Sequence, residues 1–277
     1  MGGTFKEMTG AIFPGIGSER DGMKALIKED LLKQIDISCG EDILLQQNIY
    51  AVSASLWDSS KLVYPISLVA GHSLGFYSSL YASNSIDFRT GLYLINAAHD
   101  AILKMTGSKT FGITAIIGIK WDIIENLCRK FNNVYIANIN SATQVVISGP
   151  ADSIDKIEKK VIKEGALKVQ RLSIKYPVHT PFLKGIEEIM NKAVEKIEIK
   201  APEIPIVDHT TSEILISPEQ IKETLSCQLA RKVVWLDVIK KMWQKGIRKF
   251  IEVGPGDILS KITKWIERDA EVKSLGI

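Results

Sequence analysis

A chain of 277 residues, 45% of them apolar and 24% charged, has enough apolar material for a sizeable core in one or two domains. Its net charge of +3 is too small to imply nucleic acid as a partner. No apolar run approaches the roughly 18 residues that a membrane span requires.

The opening Met1-Gly2-Gly3-Thr4-Phe5-Lys6 lacks the apolar core of a signal peptide, and Lys6 stands where N-myristoylation at Gly2 wants Ser or Thr. Residues 11–13 read as a short strand entering the tight loop Pro14-Gly15-Ile16-Gly17. Residues 43–57 carry Leu45, Ile49, Val52 and Leu56 at helical spacing. Residues 65–70 read as a buried strand, and 73–82 and 91–104 as helices. A distinct block follows: a strand at 113–119, a helix at 121–131, strands at 134–138 and 144–148, a helix at 153–164 and a strand at 167–174. Asp152 is the expected N-cap of that second helix and Gly165 its stop. The order βαββαβ is that of a ferredoxin-like module, inserted at 112–175 into a larger α/β domain formed by 1–111 and 176–277. The larger domain resumes with a helix opened by Pro181 and running to about 197, and a capping box at Ser217-Pro218-Glu219-Gln220. A helix at 235–245, a strand at 250–253, the segment Gly254-Pro255-Gly256 and a helix from about 258 complete the chain. Cys39, Cys128 and Cys227 are too scattered for a disulfide framework or a zinc site. The expectation is a cytoplasmic, metal-free protein.

The most informative stretch is Gly71-His72-Ser73-Leu74-Gly75, a Gly-x-Ser-x-Gly with an apolar strand before it and a helix after it. Such a strand-to-helix turn exposes the serine hydroxyl near the positive end of the helix, with the next backbone N–H, on Leu74, available to an oxyanion. That arrangement suits acyl transfer through an acyl-serine. Among four histidines, His179 is favoured as the base because Tyr176-Pro177-Val178-His179-Thr180-Pro181 stiffens its approach with two prolines. His72 adjoins the serine and reads as support for the turn, His99 as a solvent-exposed helix residue, and His209, after Asp208, as structural. No acid completes a triad; Asp208 and Asp257 qualify by type alone, and a carbonyl can orient a histidine equally well. Gly15-Ile16-Gly17 lacks the spacing of a phosphate loop and makes more sense as the source of a second oxyanion amide. The basic cluster Lys240, Lys241, Lys245, Arg248 and Lys249 reads as a solvated face, with a dock for an acidic partner as the alternative.

Several segments together resemble the malonyl-CoA:acyl carrier protein transacylase family, including the free-standing acyltransferases and acyl hydrolases of polyketide synthesis. They are Phe13-Pro14-Gly15-Ile16-Gly17-Ser18, the Ser73 pentapeptide, Ala137-Asn138-Ile139-Asn140-Ser141, Val146-Ile147-Ser148-Gly149-Pro150, His179-Thr180-Pro181-Phe182 and Glu252-Val253-Gly254-Pro255-Gly256. The resemblance implies an α/β-hydrolase-like domain carrying the ferredoxin-like insertion. It also implies Ser73 as acyl-carrying nucleophile, His179 as its base and the Ile16 and Leu74 amides as oxyanion hole. Gln228 matches the residue whose main-chain carbonyl orients the histidine, and His72, Gln47 and Asn140 match polar residues lining the site. No cofactor is implied, since the substrate rides on the phosphopantetheine of coenzyme A or of an acyl carrier protein, and a monomer is expected.

Three departures bear on substrate. The family's malonyl enzymes place an arginine, which pairs with the malonyl carboxylate, where this chain has Ala98. The residue after Gly75, usually Glu, is Phe76, and Tyr176-Pro177-Val178-His179 fits neither the malonyl nor the methylmalonyl pattern. The reading is therefore an acyl carrier protein S-acyltransferase without malonyl selectivity, its pocket including Phe76, Ala98 and Val178. The alternatives are an acyl-carrier thioester hydrolase that edits polyketide chains and a malonyl transacylase. A non-catalytic carrier-docking relative and an ordinary esterase are the rivals from other classes.

Overall fold

The computed structural model describes residues 8–276. The signal-peptide and myristoylation readings concern residues 1–6, outside the described residues. In chain order, β1 (Met8–Phe13) leads through α1 (Glu29–Leu32) to α2 (Glu41–Ser60), β2 (Ile66–Gly71), α3 (Gly75–Ala82) and α4 (Phe88–Thr106). Next come β3 (Phe111–Ile117), α5 (Trp121–Cys128), β4 (Tyr135–Ser141), β5 (Gln144–Pro150), α6 (Ala151–Lys163) and β6 (Lys168–Arg171). The last part holds α7 (Ile186–Val194), the short strands β7 (Ile206–Val207) and β8 (Ile214–Leu215), then α8 (Pro218–Cys227) and α9 (Trp235–Gln244). It closes with β9 (Ile247–Pro255), α10 (Ile258–Ile266) and β10 (Glu271–Gly276). The class is α/β. Among the described residues, no helix is long and apolar enough to cross a membrane.

The chain divides into two compact units. The first takes the described residues up to Asn96, Ile197–Ile221 and Asp237 onward. Its sheet has the order β10-β9-β1-β2-β7-β8, parallel except for β8. Ala11, Ile12 and Phe13 have no exposed surface, which is why β1 reads as an unbroken apolar run rather than an alternation. Phe13 lies level with Gly71 in the β1–β2 register, so both strands end together and release their loops at the same edge. That edge, at the carboxyl ends of parallel strands, is where open α/β sheets place their sites.

The second unit, Ala97–Lys196 with Lys222–Leu236, holds the antiparallel sheet β4-β5-β3-β6. With α5 and α6 it has the expected ferredoxin-like order. Ile154, Ile157 and Val161 on α6 are fully buried at the spacing of one helix face. The unit is wider than 112–175. Part of the reason is backbone pairing: Ile139 and Val233 join across N–H to carbonyl bonds of 2.8 Å from Ile139 to Val233 and from Val233 to Ala137, which ties 222–236 to β4.

Three local readings are corrected. Asp152 lies inside the first turn of α6, whose N-cap is Pro150, with no side-chain cap. The helix expected from Pro181 is a 3₁₀ turn, Pro181–Leu183, and α7 starts only at Ile186, because Gly185 adopts φ 96° between them. The last strand of the insertion spans four residues rather than eight. The capping box forms: the Gln220 N–H donates to Ser217 Oγ at 3.3 Å, and Gln220 Oε1 accepts from the Ser217 N–H at 3.1 Å.

Candidate active site

Ser73 follows β2 directly and precedes α3, with Leu74 as the helix N-cap. Its φ of 53° is in the left-handed region, which costs a non-glycine residue about 1–2 kcal/mol. The chain is forced into this shape by close backbone packing. A Cβ on Gly71 would lie 2.0 Å from the Gly75 carbonyl oxygen, and a Cβ on Gly75 would lie 2.1 Å from that of Phe13. Neither position tolerates a side chain, so the spacing of the two glycines is a packing requirement. The His72 N–H donates to the Phe13 carbonyl at 2.9 Å, and Gly75 N–H to His72 carbonyl at 2.9 Å, clamping the turn on the end of β1.

The loop after β1 approaches the same point. A Cβ on Gly15 would meet the Leu74 amide nitrogen at 3.2 Å. Ser18 closes the loop, its N–H and Oγ donating to the Gly15 carbonyl at 3.3 and 2.7 Å, and Gly17 takes φ 101° as such a turn requires. Thus the backbones that carry Ile16 and Leu74 are adjacent. Gly254 packs against this loop, where an added Cβ would lie only 2.5 Å from Pro14 Cδ. Phe76 has no exposed surface, and its ring stacks on His209 with centroids 5.0 Å apart and planes 8° apart. Gln47 is buried on α2, donating through Nε2 to Asn96 Oδ1 at 2.8 Å.

In the second unit His179 is 2% exposed and, like Ser73, left-handed, with φ 63°. Its N–H donates to the Leu229 carbonyl at 2.6 Å. Nδ1 lies 3.0 Å from the Gln228 carbonyl and 3.1 Å from that of Arg231. Two acceptors on one ring nitrogen place the proton there, which leaves Nε2 the basic atom. His179 also borders a cavity of about 550 Å³, with Tyr135, Pro181, Ala230 and Lys232 among its walls. Ala98 is buried on α4, Asn140 is buried on β4, and Val178 is half-buried, its N–H donating to the Tyr176 carbonyl.

The acids considered for a triad are engaged elsewhere. Asp208 accepts from Thr210 N–H, Thr210 Oγ1 and Thr211 Oγ1 at 2.7 to 3.0 Å. Asp257 pairs with Arg20 and Lys261 at 2.7 and 2.9 Å. His99 is half-buried against Tyr176, edge to face, rather than fully exposed. The basic cluster is partly tied down: Arg248 lies over the Trp243 ring at 3.9 Å, and Lys249 pairs with Glu271. Sequence reading did not find the Arg231 and Leu229 carbonyls that hold His179, since any residue type supplies a carbonyl.

A family model described as an acyl transferase domain matches residues 48–274. Malonyl CoA-acyl carrier protein transacylase of Buchnera aphidicola is 29% identical over 91% of this chain and 90% of its own length. The protein of that name from Staphylococcus aureus is 27% identical, covering 96% of this chain and 95% of its own. Among solved structures, an acyl carrier protein S-malonyltransferase from Vibrio cholerae superposes with a TM-score of 0.86 at 27% identity, covering 97% of this chain and 96% of its own. A type II polyketide malonyl-transacylase, solved in complex with its acyl-carrier protein, gives 0.88 at 25%, with the same coverage. A match that spans most of its length places this chain in the acyl transferase domain family.

Proposed function

We propose that this acyltransferase moves an acyl group from a thioester to the phosphopantetheine thiol of an acyl carrier protein, through an acyl-Ser73 intermediate. The observation that carries the reading is the elbow: a left-handed Ser73 framed by two glycines that admit no Cβ, beside the loop that bears Ile16. Ser73 Oγ attacks the thioester carbonyl and His179 Nε2 takes its proton. The oxyanion sits on the Leu74 and Ile16 amides. The carbonyls of Gln228 and Arg231 hold Nδ1–H and stabilise the imidazolium, so no carboxylate is needed. The thiolate leaves with the proton from His179, and the carrier thiol then reverses the sequence. The names of the relatives support a carrier protein as partner.

The acyl group carries no terminal carboxylate. Ala98 supplies no donor, and a buried carboxylate without its partner costs at least ~3 kcal/mol, a selectivity of roughly 100-fold. The same alanine favours a second reading, in which water rather than the carrier thiol accepts the acyl group and the enzyme clears acyl chains from carriers. Incubation with malonyl-CoA, acetyl-CoA and acyl-carrier thioesters, followed by intact mass, separates these. Acetylated Ser73 with loaded carrier supports transfer, and free acid released from acyl-carrier supports hydrolysis. Rapid malonylation with carrier loading overturns the reading of Ala98. Turnover by Ser73→Ala overturns the mechanism.

A further inference from the structure

His209 is 0% exposed, two residues beyond the end of β7, and its Nδ1 accepts the backbone N–H of Ser73 at 3.0 Å. We propose that His209 is a positioning residue for the nucleophile: its imidazole accepts the amide of Ser73 and so holds the elbow in the left-handed conformation that presents Oγ. The inference rests on the reading of Ser73 as nucleophile.

The sheet delivers the ring to this place. β2 and β7 run parallel with Ala70 level with Val207, and continuing that register by two residues brings 209 level with 72. The turn carrying His209 is itself fixed. The Asp208 N–H donates to the Glu213 carbonyl and the Ser212 N–H to the Asp208 carbonyl, both at 2.8 Å, while the Asp208 carboxylate holds Thr210 and Thr211. Phe76 lies flat against the imidazole and fixes its plane. This accounts for a bulky apolar residue directly after Gly75.

The chemistry follows from the backbone. The part-buried Ser73 N–H has the imidazole as its acceptor, and an N–H that loses its acceptor on being withdrawn from water costs up to about 1–3 kcal/mol. Only neutral imidazole can accept it, which puts the ring proton on Nε2. A leucine at 209 would fill the volume but offer no acceptor. An asparagine would lose the stack on Phe76 yet place Oδ1 the same number of bonds from Cα as Nδ1.

The test uses a fluorophosphonate probe, which labels activated serines whatever acyl group an enzyme prefers. Ser73 Oγ forms the O–P bond, fluoride leaves, and the hydroxyl proton passes to the base. His209→Leu is expected to label Ser73 at least 10-fold more slowly than the unmodified protein, and His209→Asn to recover to within about 3-fold despite the lost stack. A leucine variant labelled at the original rate, or an asparagine variant as slow as leucine, overturns the inference. A variant that fails to fold is covered by a second measurement on the unsubstituted protein: ¹⁵N-histidine NMR is expected to show His209 as the Nε2–H tautomer, and an Nδ1–H tautomer overturns the proposal. An unsubstituted protein in which Ser73 takes neither probe nor thioester overturns the functional reading, while the tautomer still decides the hydrogen bond.

Discussion

The ring nitrogen Nδ1 of His179 lies 3.0 Å from the main-chain carbonyl of Gln228, and 3.1 Å from that of Arg231. Because the acceptors are backbone atoms, the Gln228 side chain is not what orients the ring. Gln228→Ala should keep acylation of Ser73 within about 5-fold, whereas His179→Ala should lower it on the order of 10²–10⁴-fold, the usual worth of a general base. Stopped acylation monitored by intact mass distinguishes the two.

The elbow glycines give a graded test of packing. Gly75→Ala puts a methyl 2.1 Å from the Phe13 carbonyl oxygen, and Gly71→Ala puts one 2.0 Å from that of Gly75. Each should destabilise by about 3 kcal/mol or more and abolish labelling of Ser73. Gly40→Ala, where a Cβ meets nothing within 4 Å and φ is −61°, should stay within about 0.5 kcal/mol. Urea denaturation measures all three.

Glu252 is buried on β9, its carboxylate accepting the N–H groups of Leu259 and Ser260 at 3.0 and 2.7 Å in the first turn of α10. Burial raises its carboxyl above the usual range, only partly offset by those amides and by the Ser260 and Ser274 hydroxyls. A carboxyl raised on folding contributes stability that is present below its unfolded pKa and is lost as pH rises through the folded value. Glu252→Gln cannot accept both amides and should be destabilised throughout. The gap in melting temperature between the unsubstituted protein and the Glu252→Gln variant should widen as pH falls from 7 toward 4.5, the ordinary value of the group. A gap that narrows on acidification contradicts this account.

On the proposed reading, acyl selectivity turns on Ala98. Ala98→Arg should raise malonylation of Ser73 relative to acetylation, by up to about 100-fold if the guanidinium pairs with the carboxylate. Competition between equal concentrations of malonyl-CoA and acetyl-CoA, read by mass, gives the ratio directly.

The capping box at the start of α8 should be worth about 1 kcal/mol, since Ser217 Oγ satisfies the Gln220 N–H. Ser217→Ala tests it through the denaturation midpoint, with no change in labelling of Ser73.

Local signals with a short-range physical cause were legible. The strand-glycine-serine-glycine-helix pattern, the βαββαβ order and the capping box each depend on residues within a few positions of one another. The break at Gly185 was not, because Pro181 and the apolar residues after it carry an ordinary helical pattern, and only the conformation of one glycine interrupts it. The two-residue strands β7 and β8 are too short for any periodicity to register. His209 reads as a structural residue in the sequence, and its bond to Ser73 spans 136 positions.

Sequence alone supplied the residues of the proposed acyl chemistry: a serine between two glycines, a histidine between two prolines, and an alanine where the family resemblance leads one to expect an arginine. Tertiary structure alone decided what holds them. The carbonyls on His179 and the imidazole under Ser73 come from segments distant in the chain, brought near by strand register and backbone pairing. Carbonyls are common to every residue, so composition carries no trace of them. Only the folded backbone selects which ones point at the histidine.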